Sequence, residues 1–104
     1  MPDFDEKLKD IIDQLGPLAK VLVKDYMEDA TEDGKEFINE IRDDLKRWTE
    51  MLTKGKIPED EFASLVKGTK DLAEMKLLKQ KGLTKIKIDQ FKGGVTSLIV
   101  NSIL

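Results

Sequence analysis

Neither cysteine nor histidine occurs among the 104 residues of the chain. The first absence excludes disulfides and thiolate chemistry, although a cysteine-free chain fits any redox compartment. The second removes the commonest general base and the commonest transition-metal ligand. Arginine is confined to Arg42 and Arg47, which leaves little for reading base edges in nucleic acid. Aromatic residues make up only 6%, too few for a base-stacking platform. No apolar run approaches the roughly 18 residues that span a bilayer. No glycine-rich phosphate loop is present, since Lys67-Gly68-Thr69 lacks the upstream glycine and falls in a helical stretch. The acidic opening from Met1 to Glu6 has neither the basic nor the apolar region of a signal peptide, so a cytoplasmic location is the expectation.

What remains is 39% apolar and 38% charged, a composition that suits helices with wide solvent faces. The length is that of one small domain. Apolar residues recur as Phe4, Leu8, Ile11, Leu15, Leu18, Leu22, Tyr26 and Ala30, then Phe37 or Ile38, Ile41, Leu45, Trp48 and Leu52. Counting Gly34 as the step between Ala30 and Ile38, thirteen steps cover 48 residues, and the mean of about 3.7 is the period of an α-helix and not the period of two that a strand requires. A helix so patterned needs its apolar edge covered, by the rest of the chain or by a second copy.

Punctuation divides this pattern. Asp3 or Asp5 is a fitting helix start, because carboxylates favour the positive end of the helix dipole. Gly16-Pro17 predicts a kink, since proline lacks the amide that would bond one turn back, while the apolar stripe keeps its phase across the pair. The cluster from Glu28 to Gly34 predicts a break near Ala30, with Thr31 starting the next helix. Thr53 to Ile57 reads as a loop, with Gly55 suited to the left-handed conformation that ends helices. Pro58 followed by Glu59, Asp60 and Glu61 opens a third helix running to about Lys81, with Phe62, Leu65, Val66, Thr69, Leu72, Ala73 and Leu77 on its apolar face. Gly82, with Leu83 folding back on Leu78, predicts a Schellman stop. A last helix, capped by Thr84 or Asp89, carries Ile88, Phe91, Val95, Leu98, Ile99 and Ile103 inward. The expected fold is all-α, a bundle of about four helices over 3–30, 31–54, 58–81 and 84–104, joined by short loops. The alternative is one long helix over 3–54 with a helical hairpin folded back on it.

Three stretches are candidates for function. Asp29, Thr31, Asp33, Gly34 and Glu40 occupy positions 1, 3, 5, 6 and 12 of a twelve-residue segment. That spacing resembles a calcium-binding EF-hand loop, in which oxygen ligands ring the ion and glycine makes the sharp turn. The resemblance implies Ca²⁺ ligation by Asp29, Thr31, Asp33 and Glu40. Departures are Thr31 in place of Asp or Asn, Glu36 at the apolar anchor position, Phe37 at position 9 and the lack of a paired second loop. An acidic helix junction is the competing reading. The second stretch is basic: Lys76, Lys79, Lys81, Lys85, Lys87 and Lys92 face only Asp89. Residues 1–61 hold 18 acidic and 10 basic side chains, net −8, whereas 62–104 hold 3 and 8, net +5. The halves can complement each other, or the lysines can meet nucleic acid or an anionic lipid surface. Third, 93–104 carries no charge at all. Val95, Leu98, Ile99, Val100, Ile103 and Leu104 cover more than one helix face, so part of this segment is a candidate for docking against another helical chain.

No carboxylate is marked out for catalysis, and no cofactor, metal or enzymatic activity is expected. The expectation for function is a helical scaffold or adaptor, self-associating through its last helix. A calcium-responsive module and a weak binder of polyanions are the alternatives.

Overall fold

The computed structural model describes residues 4–104. They form a small all-α bundle of α1 (Phe4–Asp13), α2 (Leu15–Leu22), α3 (Met27–Thr53), α4 (Glu59–Gly68), α5 (Lys76–Gln80) and α6 (Lys85–Ile103), with no strand among the described residues. Two 3₁₀ turns, Lys24–Tyr26 and Thr69–Leu72, complete the regular structure. Asp3, one of the two expected starts of the first helix, lies outside the described residues.

A break in the helix falls beside Gly16-Pro17, where a kink is expected. The helix is interrupted at Gln14, between α1 and α2, although the Gln14 backbone stays in the right-handed helical region. Pro17 would bond to Asp13 if it had an amide, so the lapse falls where the missing bond is felt. Leu8, Ile11, Leu15 and Ala19 remain buried in series across it.

The chain reversal lies at Val23–Tyr26, not near Ala30 as expected. Val23 leaves helical geometry at φ −139°, ψ 56°. From Met27 a single helix of 27 residues runs without interruption through Ala30, Thr31 and Gly34. The rise of about 1.5 Å per residue gives it roughly the longest dimension of the molecule, which is 42 Å. Arg42 meets Asp5 at 2.6 Å, and Gly34 lies against Leu15. Both pairs are centred on the 23–26 turn, so α1–α2 and α3 form an antiparallel hairpin. This arrangement overturns the segmentation at 30/31 and also the alternative of one helix over 3–54.

The reason is packing. Ala19, Ala30 and Gly34 are buried where the hairpin closes. A Cβ on Gly34 would come within 3.1 Å of Leu15 Cδ2, so glycine is there for close approach. Burial at this crossing outweighs the local turn preference of Asp33-Gly34.

The third expected helix, 58–81, is also corrected. It ends at Gly68 and gives way to the 3₁₀ turn. Ala73 is extended, and Met75 adopts a left-handed conformation at φ 52°, ψ 53°. The detour turns Ala73, Met75 and Leu78 into the core and leaves Leu72 59% exposed. The loop signals fare better. Gly55 and Gly82 both have the positive φ that the helix stops require, and the Leu83 amide bonds to the Leu78 carbonyl. Thr84 caps α6 by accepting from the Lys87 amide at 3.2 Å.

Helix α6 is central. It packs against α1, α2, α3 and α4 and buries Ile88, Phe91, Val95, Thr96, Ile99 and Val100. That setting explains a helix apolar over so much of its circumference. No described helix is long and apolar enough to cross a membrane.

Candidate interaction surface

The twelve residues Asp29–Glu40 do not form a calcium loop, because all of them are wound into α3. The Thr31 hydroxyl donates to the Met27 carbonyl at 2.7 Å. Asp33 is buried and engaged elsewhere. Its carboxylate accepts from the backbone amides of Leu77 at 3.1 Å and Leu78 at 2.9 Å. A side chain of α3 thus caps the first turn of α5, whose own preceding residue, Met75, has no capping group. Glu40 is exposed on the solvent side of α3. Among the described residues, no cluster of three or more acidic side chains is arranged to hold a metal ion.

The carboxylates beside this cap serve a lysine. Lys76 Nζ lies 3.4 Å from Glu74 Oε2. The hydrogen bond to Glu74, then the charges of Glu74, Glu36 and Glu40, hold the Lys76 ammonium pKa above its ordinary value. Lys76 therefore belongs to an acidic neighbourhood and not to the basic stretch. Lys92 is half-buried, whereas Lys79, Lys81, Lys85 and Lys87 are exposed.

The apolar C-terminal residues divide. Val95, Ile99 and Val100 are core, Leu98 and Ile103 are half-buried, and only Leu104 is largely exposed, at 51%. Of the candidate docking set Val95, Leu98, Ile99, Val100, Ile103 and Leu104, only Leu98, Ile103 and Leu104 keep surface outside the bundle. Its inward members are consumed by the chain's own bundle.

The surface left outside is a groove between α2 and α6. Leu18 and Leu22 form one wall, and Gln90, Gly94, Ser97, Leu98 and Asn101 the other. It encloses about 500 Å³ of open space, mainly along apolar atoms, and none of its lining residues is charged. Gly94 makes it shallow and tight. A Cβ there would stand 2.7 Å from Leu22 Cδ1, so its absence lets α2 seat on α6. Gln90, Ser97 and Asn101 are the exposed members along α6. The charge-free run 93–104 points to this region in sequence. Leu18, Leu22 and Gln90 are not readable from it, because they join the groove only through the reversal at 23–26.

A second cleft lies at the end of the bundle where two turns meet. Val21 and Leu22 at the end of α2 and Lys24, Asp25 and Tyr26 of the 23–26 turn line it together with Leu83 and with Lys87 of α6.

Set beside known proteins, the chain matches no family, no curated protein and no solved structure.

Proposed function

We propose that this chain is a non-enzymatic helical interaction module that pairs with a second copy of itself through the α2/α6 groove. The observation that carries this reading is an exposed helix face without charge in a protein that is 38% charged. Two copies with a net charge of −3 each repel. Apposing their uncharged faces is the arrangement that least opposes association. A twofold pairing brings the same patch of each copy together, so the groove has only to complement itself. Leu18, Leu22 and Leu98 supply aliphatic surface, and the Gln90 and Asn101 amides each carry both a donor and an acceptor, as symmetric pairing needs.

Sedimentation velocity across a dilution of about a hundredfold tests this by mass action. The native chain is expected to pass from dimer to monomer. Ser97→Lys, which plants like charges face to face, is expected to remain monomeric with an unchanged helical circular-dichroism spectrum. A native chain that stays monomeric at the highest concentration contradicts the proposal.

A further inference from the structure

We propose that the corner formed by the 23–26 turn and the start of α6 docks onto an anionic phospholipid surface. Val21 at 80% and Ile86 at 72% are the most exposed large apolar side chains of the described residues. Ile86 stands between Lys85 and Lys87 in the first turn of α6, and Val21 shares the cleft with Lys24, Asp25, Leu83 and Lys87.

Folding alone does not account for these choices. The first turn of α6 has no acidic residue, so Lys85 and Lys87 add positive charge to the positive end of the helix dipole. Among the described residues, none of Lys24, Lys79, Lys81, Lys85 and Lys87 takes part in an ion pair. Asp25 in the cleft, Glu28 and Asp29 in the first turn of α3, and half-buried Asp89 in the next turn of α6 are the acids near the corner in sequence, against Lys24, Lys79, Lys81, Lys85 and Lys87. Residues that oppose local stability, grouped with aliphatic side chains left in water, point to an external partner.

Charge complementarity makes that partner anionic. The apolar members select among anions. Val21 and Ile86 are branched aliphatics that gain by entering the boundary between headgroup and acyl chain, with lysines beside them at the phosphates. A single-stranded nucleic acid would instead reward aromatic stacking and arginine, and the corner has only half-buried Tyr26 and no arginine.

The test is co-sedimentation of the full chain with vesicles of phosphatidylcholine alone or with about one third phosphatidylserine. Binding is expected only to the anionic vesicles at low salt, and is lost at high salt. Lys85→Glu with Lys87→Glu is expected to weaken it by about tenfold or more. Val21→Ser with Ile86→Ser is expected to weaken it several-fold, with melting temperature unchanged because both positions are already in water. No binding to anionic vesicles at low salt overturns the proposal. So does native-like binding by the serine pair, or tighter retention on single-stranded DNA than on vesicles. Ser97→Lys lies outside the corner and separates this outcome from self-association.

Discussion

Asp33 stands on one helix and caps another, and two amides in the first turn of α5 take that single carboxylate as their acceptor. Asp33→Ala leaves two backbone amides without their acceptor. The expected loss is about 2–4 kcal/mol, since each unsatisfied buried donor costs roughly 1–3 kcal/mol. Asp33→Asn keeps one acceptor oxygen and is expected to lose about half as much; urea unfolding of both variants measures the difference. Nothing lies within 4 Å of a Cβ built on Gly68, and its backbone is helical. Gly68→Ala is therefore expected to stabilise by about 0.5–1 kcal/mol, read from the same unfolding curves. Lys76 has a fixed sign of pH dependence. Its raised pKa makes its pairing fully effective below the unfolded-state lysine value, and the effect fades as pH rises through the higher folded-state value. Single residues were the hardest features to assign from sequence. Asp33 and Gly34 carry the marks of a turn or a metal loop, and they are a capping group and a packing contact. Both roles depend on residues distant in the chain, Leu15 in one case and Leu77 and Leu78 in the other.

Elements were legible where the signal is local. The break beside Pro17, the Gly55 and Gly82 stops and the Thr84 cap each rest on backbone geometry that one or two residues dictate. The reversal at Val23–Tyr26 has no glycine and no proline to announce it. It goes with the close packing of Leu15 on Gly34 across the hairpin, a tertiary constraint. Ala30 is fully buried there, so Ala30→Leu is expected to overpack the crossing and cost about 1–3 kcal/mol, measured as a lower melting temperature. The detour after Gly68 was illegible for the same reason. Its left-handed Met75 is sustained by a buried side chain and by the cap from Asp33, not by its own preference. A five-residue helix held in this way opens more readily than the long helices. Hydrogen–deuterium exchange is expected to show weaker protection over 76–80 than over 37–45 or 91–99. Asp33→Ala should raise exchange chiefly at 76–80.

The molecule as a whole segregates its surface. Acidic α3 runs the length of one side, lysines gather at the end where the 23–26 and 81–84 turns meet, and the α2/α6 groove is free of charge. The sequence shows the charge-free run 93–104 and the basic stretch before it, but not which of their side chains face out. Burial divides them, taking Val95, Ile99 and Val100 into the core and leaving Ser97 and Asn101 outside. The central claim is that the outer strip closes against its own copy. Because the chain lacks cysteine, one introduced thiol reports its own exposure without background. The most direct measurement is the rate of maleimide labelling of Ser97→Cys as protein concentration rises by about a hundredfold, beside Ser64→Cys on α4 as the exposed control. The predicted result is progressive protection of the thiol at 97 and a constant rate at 64. Equal, concentration-independent rates at both positions would contradict it.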